Sequence, residues 1–275
     1  MNWLGQLRNL VELSLNYNLL HGPIPKSLGS LQKLTDLKLD HNRLNGSLPD
    51  SLGQLSELSF FDVSFNQFTG IITETHFLNL HKLRSAYLTS NSFVMAVSSD
   101  WTPPFQAQLL FMGSCHLGPS IPTWLRSQKK LTFLDLSNTS ISGSIPDWFW
   151  EMSSHLIWLN VSSNKLKGHP PIPFNLTLAV VDLSSNQFEG PIPLPIGKTE
   201  LLVLSNNKFS GPIPKNIGDS QPNLRLLSLS TNQINGTLPN SIGTMHSLAA
   251  IDLSNNNLVG KMPINFPEFV KFRDT

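Results

Sequence analysis

Apolar and polar positions along this chain follow one frame, L-x-x-L-x-L-x-x-N-x-L-x-G-x-I-P. It runs from LVELSLNYNLLHGPIP (10–25) and LTDLKLDHNRLNGSLP (34–49) to LAAIDLSNNNLVGKMP (248–263). The Asn of the frame falls at Asn18, Asn42, Asn66 and Asn91. Cys115 and Thr139 then take its place, and it returns at Asn164, Asn186, Asn207, Asn232 and Asn256. Two positions later every unit is apolar, from Leu20 and Leu44 to Ile234 and Leu258. Four positions after the Asn, nine of eleven units carry Gly, and seven after it nine of eleven carry Pro. Four columns held in phase this way are the mark of a repeat architecture.

Each column has a physical task. In L-x-L two leucines alternate with exposed residues, the period-two pattern of a short strand with one buried face. A lone turn cannot bury that face, so neighbouring turns stack and pair their strands. Each buried Leu then contributes about 1.5–3 kcal/mol. The Asn amide donates and accepts, which suits it to bonding the backbone of its own and the next turn. Gly permits the turn after the strand, and Pro sets an extended return segment that needs no donor. The predicted fold is an α/β repeat, a right-handed leucine-rich repeat solenoid. Its short parallel sheet lines the concave face of a curved arc, with 3-10 or irregular segments on the convex side. One domain spans 1–275 in about eleven repeats.

Two stretches depart from the frame. Gly and Pro are lost after Asn91, and residues 92–106 form an irregular segment that Trp101, Pro103, Pro104 and Phe105 are expected to hold against the core. In DWFWEMSSHL (147–156), Trp148, Phe149 and Trp150 are expected to pack on the convex side.

Residues flanking the strand leucines point to the concave side. One column reads Glu12, Asp36, Phe60, Ser85, Leu109, Phe133, Trp158, and the other Ser14, Lys38, Asp62, Tyr87, Phe111, Asp135, Asn160, Asp182. Phe60, Tyr87, Phe111, Phe133 and Trp158, bordered by Asp62, Asp135 and Asp182, make a candidate ligand-binding strip, since exposed aromatic patches ringed by polar groups mark interaction sites. The alternative is cross-strand stacking with no ligand. Sequons at Asn45, Asn138, Asn160, Asn175 and Asn235 are candidate N-glycosylation sites.

Composition narrows the function. Only 13% of residues are charged and the net charge is +1, with no basic stripe for nucleic acid or an anionic membrane. The single cysteine, Cys115, occupies a ladder slot and reads as a buried structural thiol. The eight histidines lack ligand spacing, so neither metal nor cofactor is expected. Carboxylates recurring at one frame position (Asp62, Asp135, Asp182, Asp252) form a column, which argues against an acid/base pair and against an enzyme. The N-terminus lacks the pattern of a secretory signal, and no apolar run approaches the roughly 20 residues needed to span a bilayer.

The frame with G-x-I-P resembles the plant-specific class of leucine-rich repeats. The run VSSDWTPPFQ, then SCHLGPSIPTWLRSQKKLTFLDLSNTSISGSIPDWFW, resembles plant cell-surface receptor-like proteins of the ethylene-inducing xylanase receptor and Cf-type resistance group. The resemblance implies a protein or peptide ligand, a co-receptor kinase ectodomain as partner, N-glycosylation, and a place in the apoplast or on the extracellular face of the plasma membrane. Signalling would serve defence or development. Family members carry cysteine-paired caps, a signal peptide and a membrane anchor, so the chain is expected to be a truncated ectodomain with exposed apolar ends near Leu7–Leu15 and Phe266–Phe272. The alternatives are a secreted inhibitor of a microbial cell-wall hydrolase, like the polygalacturonase-inhibiting proteins, or a non-functional or decoy fragment.

Overall fold

The computed structural model describes residues 2–172, 178–195 and 199–262. It contains two compact units, Met1–Ser140 and Ile141–Thr275, each built from turns of one plan. In the first unit the strands Glu12–Ser14, Asp36–Lys38, Phe60–Asp62, Ser85–Tyr87, Leu109–Phe111 and Phe133–Asp135 lie side by side, parallel and in equivalent register. Their middle residues form a core column that includes Leu37, Phe61, Ala86, Leu110 and Leu134. Leu39, Val63, Leu88, Met112 and Leu136 form a second column just beyond the strands. In the second unit Trp158–Asn160, Val180–Asp182, Leu201–Val203, Leu226–Ser228 and Ala250–Asp252 pair in the same way.

Behind the strands the asparagines tie turn to turn. Asn42 Oδ1 accepts the Leu20 N–H at 3.0 Å, while its Nδ2 donates to Leu15 O at 2.8 Å and to Leu39 O at 3.1 Å. Asn66 repeats the pattern with Leu44 and Leu39, and Asn91 with Phe68 and Val63. The turn served is the preceding one, not the following one that the sequence suggested. The Asn42 amide also holds its own turn, through Leu39 O and Asp40 O, so it joins each turn to the one before it. Cys115 offers one weak donor there, its Sγ 3.7 Å from Leu88 O, and the Thr139 hydroxyl donates to Leu136 O at 2.8 Å.

Reaching that geometry bends the backbone. The residue before each ladder position lies at positive φ in every turn, at Tyr17, His41, Phe65, Ser90, Ser114, Asn138, Ser163, Ser185, Asn206, Thr231 and Asn255. None is glycine, so each turn holds a conformation that side-chain-bearing residues normally avoid, stabilised by the bonds around it.

The return side differs from expectation in one respect. Short 3-10 helices occur there, including Lys26–Ser30, Asp50–Gln54 and Thr123–Ser127, each with Pro at the N-cap. A second set of parallel strands also forms, from the x-L-x-G segment after each Asn. In the second unit these strands are Ser142–Ser144, Lys165–Gly168, Gln187–Gly190, Lys208–Pro212, Gln233–Gly236 and Asn257–Leu258. In the first unit His21–Gly22, Arg43–Gly46 and Gln67–Phe68 form one run, and Ile71–Ile72 pairs separately with Val94–Met95. The break coincides with Met95 and Pro119, which hold the slots where regular turns have a positive-φ Gly.

Within the irregular segment 92–106, Phe105 is buried and Trp101 is half-buried. Trp101 lies 5.6 Å from both Phe77 and Trp124, and Phe105 5.6 Å from Phe77, ring centre to ring centre. This aromatic cluster fills the space that the regular leucines would occupy. In Asp147–Met152, which is helical, Phe149 and Trp150 are buried and Trp148 stays half-exposed.

Candidate functional site

The outer side of the first unit's strands carries the candidate residues as two columns. Phe60, Ser85, Leu109 and Phe133 face each other across one column, and Asp62, Tyr87, Phe111 and Asp135 across the other. Ring contact runs diagonally from Phe60 to Tyr87, with centroids 5.4 Å apart, and then to Phe111 at 4.8 Å with the planes 8° from parallel. Phe133 belongs beside Leu109, in the other column from Phe111. All four rings are half-buried. Lys38 closes one end, its ammonium 5.5 Å from the centre of the Phe60 ring and 2.9 Å from the Glu12 carboxylate. In the second unit Trp158, half-buried, opens its strand opposite Val180.

The sheet does not require rings in these slots. Ser14 and Lys38 hold the same slot as Tyr87 and Phe111, in strands that pair in the same register. The sheet therefore accepts small or charged side chains at these positions.

The carboxylates expected to border the strip are also bonded within their own turns. Asp62 Oδ1 accepts the Ser64 N–H at 2.9 Å and the Ser64 hydroxyl at 2.6 Å. Asp182 does the same with Ser184, and Asp135 accepts the Ser137 N–H at 2.9 Å. Asn160 fills the slot as an amide and accepts the Ser162 N–H at 2.9 Å. The D-x-S spacing in the sequence carries this role, which satisfies the second backbone donor past the strand, the first being bonded to the next strand. Burial raises the Asp62 carboxyl above its ordinary value, opposed by the Ser64 hydrogen bonds. Burial raises the neighbouring Tyr87 phenol too, with the Asp62 charge adding to it.

One feature escaped the sequence reading. Tyr17, His41 and Phe65, the positive-φ residues of three successive turns, stack with centroids 4.2 and 4.4 Å apart. Tyr17 is 70% exposed and Phe65 49%. His41 Nδ1 lies 2.9 Å from Asp40. The signal was present as an aromatic run in the column just before Asn18, Asn42 and Asn66.

Cys115 is buried, and desolvation pushes its thiol up to about 12, so no thiolate forms near neutral pH. Among the described residues no group of three or more His, Cys, Asp or Glu is placed to hold a metal ion.

Residues 8–68 match the family described as "Leucine rich repeat", and 130–152, 198–220, 223–245 and 247–269 match "Leucine Rich Repeat". The chain belongs to the leucine-rich repeat family. Its relatives include the receptor-like protein EIX1 of Solanum lycopersicum, 42% identical over 127 residues, which are 46% of this chain and 12% of that protein. The leucine-rich repeats also superpose on PEPR1 in its complex with AtPEP1. There the TM-score is 0.80 at 31% identity, over 96% of this chain and 41% of that one. They match the Arabidopsis receptor kinase HAESA, in complex with the peptide hormone IDA and the co-receptor SERK1, with a TM-score of 0.67 at 28% identity, over 94% of this chain and 52% of that one. This leucine-rich repeat chain is of the plant receptor-like kind and spans about one-eighth of EIX1's length.

The sequons of these repeats differ in exposure. Asn45, Asn138 and Asn235 are exposed, whereas Asn160 is half-buried and engaged with Ser162. Asn175 and the 266–272 end lie outside the described residues. At the other end Leu7 and Val11 are 44% and 51% exposed. Among the described residues no helix is long and apolar enough to cross a membrane.

Proposed function

We propose that this chain is a non-catalytic, ligand-binding part of a plant receptor-like ectodomain, facing the apoplast, and that the Phe60–Tyr87–Phe111 face of the first unit contacts a peptide or protein ligand. The observation that carries the reading is the local concentration of rings in slots the sheet does not need them to fill. Half-buried aromatics anchor affinity because each removes a large apolar area from water on binding. Phe133 extends the contact in the same unit, and Trp158 and Asp182 are further contact candidates in the second. The likeness to receptors crystallised with peptides, one of them with a co-receptor, supports a peptide ligand and a co-receptor kinase ectodomain. Asn45, Asn138 and Asn235 are the preferred glycosylation sites because they are exposed, whereas Asn160 is half-buried. Signalling in defence or development follows from the kinship with receptor-like proteins.

The test is capture of peptides from plant apoplastic fluid on the immobilised chain, compared with Tyr87→Ser/Phe111→Ser protein of unchanged far-UV spectrum. A discrete set of peptides held by the unaltered chain and reduced about tenfold by the variant, equal to about 1.4 kcal/mol of binding, is expected. The same set on both proteins, or none on either, would contradict the proposal.

A further inference from the structure

A groove of about 560 Å³ runs along the leading ends of the first unit's strands. Arg84 and Gln108, in its lining, stand immediately before Ser85 and Leu109, so the groove borders the column that holds Phe60 and Leu109. Three cations, Lys82, Arg84 and Lys130, line it against a single carboxylate, Glu57, with His81 alongside. Glu57 is already paired with Lys82 at 2.6 Å. Arg84 and Lys130 are exposed and, among the described residues, form no ion pair. The excess is local, because the whole chain carries only +1.

The irregular segment builds one wall and fixes it. Gln106 donates through Nε2 to Ser127 O at 2.9 Å and accepts the Lys129 N–H at 2.9 Å, while Gln128 accepts the Ala107 N–H at 2.9 Å. Both ends of Gln106 are therefore spent, and the wall is set before any ligand arrives. Arg84 offers a planar fork suited to a carboxylate.

We propose that this groove receives the acidic side chains of an extended peptide whose apolar side chains lie on the adjoining Phe60, Leu109 and Tyr87 surface. The inference rests on the ligand-binding reading above and adds the charge and placement of the ligand. Charge complementarity names a polyanionic partner, and the rings decide between an acidic peptide and an acidic polysaccharide. A pyranose stacks on a free aromatic face. Here Tyr87 and Phe111 each give one face to the other, and Lys38 sits over one face of Phe60. The ring area left open suits aliphatic side chains.

The probe is a fluorescein-labelled octapeptide of alternating glutamate and leucine, titrated with the full chain and followed by anisotropy. Its lysine–leucine counterpart serves as the comparison. The acidic peptide is expected to bind more tightly, and progressively less so as salt is raised. Arg84→Glu/Lys130→Glu should weaken it about tenfold or more, while Lys165→Glu/Lys167→Glu in the second unit leaves it unchanged. Equal binding of both peptides, or equal losses in both double variants, would overturn the proposal. Displacement by oligogalacturonate but not by unlabelled peptide would assign the groove to a polysaccharide and also overturn it. If apoplastic peptides are lost on Tyr87→Ser/Phe111→Ser but kept on Arg84→Glu/Lys130→Glu, the groove assignment alone fails. If neither variant changes their capture, the ligand-binding reading fails with it.

Discussion

Tyr87 and Phe111 lie face to face on adjacent parallel strands, 4.8 Å between ring centres and 8° from parallel. The residues opposite each other at the first unit's other end are Ser14 and Lys38, in the same register. Equal backbones with unequal side chains separate what the repeat requires from what this particular chain adds to it.

The repeat's own requirement is tested at Asn42. Asn42→Ala leaves the Leu20 N–H without its partner and takes one amide donor each from the Leu15 and Leu39 carbonyls, which keep Asn18 and Asn66. Each buried group stranded this way costs about 1–3 kcal/mol. Urea unfolding should show a clear loss of stability, whereas Asn45→Ala, three residues on and exposed, should be close to neutral.

Close packing between successive turns is tested at Gly53. A Cβ there would sit 2.1 Å from Thr75 O, a backbone atom that cannot move alone. Gly53→Ala should therefore destabilise the first unit by about 1–3 kcal/mol, as overpacking does. At Gly22, where a Cβ meets nothing within 4 Å but φ is +86°, the cost is backbone strain instead. Thermal melts of both variants measure the two losses, and a second-site Thr75→Gly change is the control on the first. That change cannot rescue Gly53→Ala, because the clash is with the main chain.

Asp62 gives a pH signature. Burial raises its folded-state carboxyl above the unfolded value near 3.8, so the folded protein holds the proton more tightly than the unfolded chain. This contribution to stability is fully present below the unfolded value and is lost as pH rises through the folded one. Asp62→Asn keeps the acceptor for the Ser64 N–H, as Asn160 does for Ser162. Relative to the parent, it should gain stability as pH is raised from 3 toward 7. A stability difference flat across that range would refute the desolvation account.

The parallel strands, the two core columns and the Asn ladder were legible because each is written once per turn. Repetition turns a weak local preference into a phase. The second set of strands was less visible: its x-L-x-G pattern is short, and Gly disfavours strands by local propensity. It forms because Gly at positive φ lets the chain pair with the turn before it. The direction of the Asn bonds was not legible, since the amide's donor and acceptor suit either neighbour. At the candidate site the aromatic residues and their two columns could be read from the frame, but the ring contacts that cross between the columns needed the structure. Asp135 and Asp182 were assigned to the border of that strip from their column alone, and the serine two residues later shows their local occupation. The groove joins Lys82 and Arg84 of one turn to Glu57 and Lys130 of two others, so no short sequence window contains it.

The central claim, that ligand lies on the outer side of the first unit's strands, is tested most directly by hydroxyl-radical footprinting of side chains with and without a peptide captured from apoplastic fluid. The account predicts reduced oxidation at Phe60, Tyr87 and Phe111, with Trp148 on the return side of the second unit unchanged. Unchanged oxidation at those three rings, with protection at Trp148 instead, would contradict it.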